Sequence, residues 1–268
     1  MTATTVATGD IYVREAGEGP NVMMLHGIGG SSETFSPQFD ELAGELRMLA
    51  WDAPGYARSA DPDREHTLDD YADHVAALIA ERCGDGGAHL LGMSWGGVIA
   101  TRVALRHPAA VRSLVLGSST VGSGATENGA EAMRARVEHL ADVGVDEYAR
   151  TRAPKLLSAH AGPDETRRAV ELMRESIRLA GYRGAAASMA ATDHTHQLAD
   201  ITVPTLVLCG DEDTITGRPA SQVLAGGISG AVFVTIHGAG HLANQERPQA
   251  FNAWFQSFVS IAEQLHNH

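Results

Sequence analysis

The chain has 268 residues, of which 33 are acidic and 20 basic, for a formal net charge of −13. Hydrophobic residues make up 44% and charged residues 20%, an ordinary globular mixture in a chain long enough to bury a core without disulfide or metal staples. Nucleic acid and anionic membrane surfaces both call for a basic footprint, so neither is expected as a partner.

The first nine residues lack the basic start and long apolar run of a signal peptide. Apolar runs then alternate with helical patterns. Asn21–Leu25, Met48–Trp51, His89–Gly92, Ser113–Leu116, Thr205–Cys209 and Val232–Ile236 are each too short for a helix and are expected as buried strands. Helices are expected over Ser36–Leu46, Leu68–Arg82, Trp95–Arg106, Pro219–Ala225 and Pro248–Leu265. His107-Pro108 closes the third, because the residue before proline resists the α region. This alternation predicts an α/β fold, a mostly parallel sheet covered by helices on both faces.

One segment breaks the rhythm. Residues 120–197 offer no convincing strand, only helical patterns over Ala130–Leu140, Asp146–Thr151 and Thr166–Leu179. An inserted helical cap is expected there, with 1–119 and 198–268 forming the α/β body. The cap holds ten basic and eleven acidic residues, which leaves ten and 22 for the body. The body therefore carries −12 and the cap −1. The two cysteines, Cys83 and Cys209, lie far apart and outside any CxxC; this usage fits a reducing compartment, and the cytoplasm is the expected location.

Gly92-Met-Ser-Trp-Gly96 matches the G-x-S-x-G turn that lifts a nucleophilic serine above a sheet. In a chain of this composition the pattern arises by chance about once in five sequences, so its setting has to confirm it. A strand precedes Ser94 and a helix follows it, as that turn needs. Serine is a poor nucleophile until a base takes its proton. Among 13 histidines, His241 in Gly238-Ala-Gly-His-Leu242 stands between the last strand and the last helix, with His237 as its rival. His194 and His196 form an H-x-H without a third ligand pattern, so no metal site is expected. The orienting acid should follow strand Thr205–Cys209, where Gly210-Asp-Glu-Asp213 offers three carboxylates. Asp213 is favoured over Asp211 because its position clears the turn. Leu25-His-Gly-Ile-Gly-Gly30 can present backbone donors, so the amides of Ile28 and Trp95 are expected to form an oxyanion hole, each worth on the order of 3 kcal/mol.

With these residues in order, the sequence resembles the α/β-hydrolase family over nearly its whole length. The resemblance rests on His26-Gly-Ile-Gly-Gly30, Asp52-Ala-Pro-Gly-Tyr-Ala-Arg-Ser59, Gly92–Gly96, Gly210–Asp213, and Gly240-His-Leu with Glu246-Arg-Pro248. It implies Ser94 as nucleophile, Asp213 as acid, His241 as base and 120–197 as cap. The family usually has glycine where Ala57 stands. The cap and its exit are similar to those of 3-oxoadipate enol-lactonases, which open an anionic lactone. By that likeness the substrate is a small carboxylic ester or lactone, an enol-lactone in the narrowest form, and no cofactor is needed. Arg134, Arg136, Arg178 and Arg183 are then candidates to hold a substrate carboxylate, with His26, Gly27 and Met93 beside the reacting bond. Three other activities suit the same residues: hydrolysis of a C–C bond in a vinylogous diketone, a cofactor-free perhydrolase or haloperoxidase-like reaction, and ligand reception without turnover.

Overall fold

The computed structural model describes residues 4–8 and 10–266, with side chains from residue 10 onward. Part of the amino-terminal stretch read above, residues 1–3 and 9, therefore lies outside the described residues. One sheet holds β1 (Thr4–Thr8), β2 (Ile11–Ala16), β3 (Asn21–Leu25), β4 (Arg47–Trp51), β5 (Ala88–Met93), β6 (Val111–Gly117), β7 (Thr205–Gly210) and β8 (Val232–Ile236). Their spatial order is β1-β2-β4-β3-β5-β6-β7-β8. From β4 to β8 every pairing is parallel, and the six strands expected from sequence make up this run. The antiparallel edge formed by β1 and β2 was not expected. Its second strand mixes Arg14 and Glu15 into a half-buried ribbon, which lacks the apolar run that marks a central strand.

Successive side chains on the central strands enter opposite faces. Val22 and Met24 join one apolar cluster, whereas Met23 and Leu25 join the other. On the first face lies α1 (Ser36–Leu42), which stops four residues before its expected end. On the second lie α2 (Leu68–Cys83) and α3 (Trp95–Arg106), represented by Val75, Ile79, Val98 and Val103 in that cluster. A capping box starts α2, the Thr67 hydroxyl accepting from the Asp70 amide at 3.3 Å and the Asp70 carboxylate from the Thr67 amide at 2.8 Å.

Between β6 and β7 the described chain holds helices joined by loops and no strand, as expected for a cap. Helix α4 (Glu127–Arg152) covers both of the first two expected helices and is broken at Gly144, whose φ of 77° only glycine adopts cheaply. Next come α5 (Pro163–Ser176) and α6 (Leu179–Ala190), the second of which was not expected as a separate helix. The body resumes with α7 (Gly217–Gly227), the short α8 (Ala243–Glu246) and α9 (Pro248–His266). Phe251, Phe255 and Val259 of α9 seal the face that α1 covers. Among the described residues no helix is long and apolar enough to cross a membrane.

The central strand β5 carries a buried histidine. His89 places Nδ1 2.7 Å from Ser113 Oγ and Nε2 2.9 Å from Glu263 Oε1. Burial pushes its pKa down to about 4, with Arg112 and His266 adding to the shift and Glu263 opposing it. Below the ordinary value near 6.5 the unfolded chain takes up a proton that the folded chain refuses until about pH 4. Folding stability therefore falls across that window as pH falls. Urea titrations of the wild type and His89→Gln should show the wild type losing up to about 3 kcal/mol more between pH 6.5 and pH 4. Equal losses in the two proteins would contradict the buried neutral ring.

Candidate active site

Ser94 joins β5 directly to α3, with φ 52° and ψ −116°. Such a backbone costs a non-glycine residue about 1–3 kcal/mol and persists only where its surroundings over-determine it. They do so here. The Ser94 amide donates to Gly117 O at 2.8 Å, and the Ser94 carbonyl accepts from Gly97 N at 2.9 Å and Ser119 Oγ at 2.8 Å. Glycines make the close turn possible. A Cβ on Gly92 would lie 2.3 Å from the Gly96 carbonyl oxygen, and one on Gly96 2.0 Å from that of Leu25.

The acid and the histidine meet beyond the neighbouring strands. His241 Nδ1 lies 3.0 Å from Asp213 Oδ2, and both side chains are buried. Asp213 also accepts from Ile215 N at 2.8 Å and from Thr216 Oγ1 at 2.9 Å. Burial drives the Asp213 carboxyl up, but the hydrogen bond and charge of His241, with the Ile215 and Thr216 donors, outweigh it. The group is held well below the usual carboxylate range. An ionised Asp213 favours the His241 tautomer that carries its proton on Nδ1. The two rivals pair with each other instead: Asp211 Oδ2 stands 2.5 Å from Nδ1 of a fully exposed His237.

Hydrogen bonds to backbone groups tie the His241 loop to the cap. The His241 amide donates to Leu156 O at 2.8 Å. Buried Glu246 accepts from Gly240 N through one oxygen and from Ser158 N through the other, each at 2.8 Å. Glu246 was legible only as part of the Glu-Arg-Pro motif; its partners are backbone groups distant in sequence.

The loop after β3 passes beside Ser94, where a Cβ on Gly27 would sit 3.2 Å from Ser94 Cβ. Neither the Ile28 nor the Trp95 amide is engaged by a turn, loop or cap hydrogen bond among the described residues. His26 stands elsewhere than expected. It does not line the cavity; its buried ring bonds Gly27 O at 2.8 Å through Nδ1 and accepts the Ala53 amide at 3.0 Å on Nε2. Burial lowers its pKa, the Gly27 carbonyl opposing, and the neutral ring that results satisfies both bonds. The Trp95 indole is likewise buried and donates to Ser188 Oγ at 3.0 Å.

A cavity of about 270 Å³ lies between body and cap, and Gly27, Ile28, Met93, Ser94 and His241 all line it. Of the four cap arginines considered from sequence, only Arg136 reaches it. Arg134 and Arg183 are exposed on the outer surface. Arg178 instead clamps the loop after β4, bonding the carbonyls of Ala57 and Ser59 and pairing with Asp61 at 2.8 Å. Ala57 in that loop has φ 38°, which supplies the physical reason for the glycine usual there. Arg152, Tyr148 and Tyr182 line the cavity too. Periodicity did not single out Tyr148 and Arg152, because the break at Gly144 shifts the phase of the α4 face, and Tyr182 lies in α6, which was not expected as a separate helix.

The chain matches the alpha/beta hydrolase family over residues 22–254. The chain belongs to that family. A Serratia proteamaculans protein provisionally named carbamate hydrolase RutD is 29% identical over 246 residues, 87% of this chain and 88% of the relative. The 3-oxoadipate enol-lactonase 1 of Acinetobacter baylyi is 26% identical over 246 residues, 90% of this chain and 88% of the relative. A thermophilic esterase from Thermogutta terrifontis, solved with malate bound, superposes with a TM-score of 0.87 at 26% identity, covering 97% of each chain.

Glu246→Gln replaces one acceptor with an NH2 that faces an amide N–H. The variant should lose about 2 kcal/mol of stability in urea titrations. Any turnover that depends on His241 should fall in kcat more than it rises in KM. An unchanged midpoint and unchanged kcat would show that the tie between cap and histidine loop carries no energy.

Proposed function

We propose that Ser94, His241 and Asp213 act as nucleophile, general base and orienting acid, with the Ile28 and Trp95 amides as oxyanion donors and residues 120–197 as the cap. The chain is a serine hydrolase acting on carboxylic esters or lactones. The observation that carries the assignment of roles is the 3.0 Å contact between His241 Nδ1 and a buried, ionised Asp213, with His241 and Ser94 lining one cavity.

The chemistry follows from those positions. Nε2 of His241 takes the Ser94 proton as Oγ adds to the ester carbonyl. Negative charge moves onto the carbonyl oxygen, where preorganised N–H donors are worth more than water because they need no reorientation. The imidazolium, stabilised by Asp213, protonates the departing alkoxide. A water then gives its proton to the same histidine and attacks the acyl-enzyme, releasing the acid and restoring Ser94. In a lactone the departing alkoxide stays attached, so the product is a single hydroxy acid, or a keto acid when the ring is an enol ester.

The enol-lactonase among its relatives favours lactones as the narrower reading, and the RutD likeness adds carbamates to the compounds worth assaying. Two cysteines with no disulfide, Cys83 and Cys209, support the cytoplasm as the proposed compartment.

Ser94→Ala should lower ester turnover by at least about 10⁴-fold with an unaltered circular dichroism spectrum, and should abolish labelling by a fluorophosphonate probe. His241→Ala should match it, while His237→Ala should stay within about threefold of the wild type. Wild-type turnover in Ser94→Ala, or an equal loss in His237→Ala, would overturn these roles. A panel of small esters, lactones, carbamates and vinylogous diketones fixes the bond that is cut.

A further inference from the structure

The cavity that Ser94 lines also carries two arginines that the hydrolytic machinery does not use. Arg136 from the first half of α4 and Arg152 from its end both line the cavity. Among the described residues neither guanidinium has an ion pair or hydrogen bond, and no aspartate or glutamate lines the cavity. Every other cap arginine weighed from sequence either is exposed or is spent on a loop carbonyl. Burial, and then the like charge of Arg136, lower the pKa of Arg152. Two like charges this close raise the energy of the empty site, because Arg152 gives up part of its water without gaining an anion.

Two hydroxyls complete the cluster. Tyr148 and Tyr182 are buried and line the same wall, their oxygens 2.6 Å apart. Two hydroxyls own two protons, and the shared hydrogen bond uses one. The second is left to donate, and among the described residues neither hydroxyl has another acceptor. Met133, Met173, Met189 and Leu156 contribute apolar surface to the same cavity, so a substrate chain can pass over them between this donor set and Ser94.

We infer that Arg136, Arg152 and the Tyr148–Tyr182 pair form an anion subsite for a carboxylate borne by the substrate at the end away from the bond that Ser94 attacks. The substrate is then a small carboxylate-bearing ester or lactone. Two guanidiniums and a spare O–H match the two oxygens of a carboxylate, which accept charge-assisted bonds without strain. A cavity of about 270 Å³ stands at the small end of ligand sites, so the chain between carboxylate and carbonyl is short. Which bond is cut still rests on the Ser94 reading; the anion subsite does not.

The test separates the two. Binding is measured by calorimetry in Ser94→Ala, with monomethyl glutarate as the anionic probe and methyl hexanoate as its neutral counterpart. Monomethyl glutarate should bind at least about tenfold more tightly. Adding Arg136→Gln or Arg152→Met should weaken it about tenfold or more, and Arg152→Lys should recover part of the loss. In the active enzyme the kcat/KM ratio of the two esters should fall in the same order, through KM. Arg136 is half-exposed, so its variant keeps the test informative should Arg152→Met fail to fold. Equal affinity for the two esters would overturn the subsite, as would an affinity for monomethyl glutarate unmoved by both substitutions in folded protein. Arginine-dependent binding with no hydrolysis of either ester by the Ser94 enzyme would support the subsite and reject the hydrolytic reading.

Discussion

The backbone of Ser94 is the constraint on which the rest of the molecule depends. A φ of 52° between a strand and a helix persists because the chain on both sides is fixed by parallel pairing of β5 to β3 and β6 and by the packing of α3 on the sheet. Glycines at 92 and 96 let the helix start so close that its first turn nearly touches the end of β3. That approach places the loop after β3, with Gly27 and Ile28, against the serine. The two amides expected to receive the oxyanion are thus a product of sheet order and need no dedicated side chain.

The proposed acid and base share this logic. Asp213 and His241 follow β7 and β8, neighbours in the sheet, so their loops leave the same edge side by side. The strands need not be long for this; they need only be parallel and adjacent. Asp213 gains Ile215, Thr216 and His241 as partners, which offset its desolvation, whereas Asp211 two residues earlier pairs with an exposed His237. Two similar Asp–His pairs thus sit a few residues apart, and burial is what separates their chemistry.

Much of this was legible in the sequence. The parallel strands inside the sheet are nearly uninterrupted apolar runs because helices cover both their faces, and the motif around Ser94 sits where a strand must turn into a helix. The amino-terminal strands left no such mark, since β2 carries charges such as Arg14 and Glu15 and derives its pairing from its neighbours. Cap side chains were the least legible. A helix pattern says that Arg134, Arg136, Arg178 and Arg183 lie on helices, or at their starts. Which of them faces inward depends on the break at Gly144 and on docking against the body. Arg152 escaped notice for the same reason, and His26 was misplaced because its ring serves the loop backbone and not the cavity.

The tie through Glu246 bears on how such a cap can change over evolution. One buried carboxylate on the body holds two backbone N–H groups, one from the histidine loop at Gly240 and one from the cap at Ser158. Backbone donors are offered by every residue except proline, so the joint does not read the cap's side chains at all. Only the body side is demanding: a Cβ at position 240 would lie 2.5 Å from the Ser158 nitrogen. The pocket wall can therefore be rewritten residue by residue for new substrates while the histidine stays where the chemistry needs it.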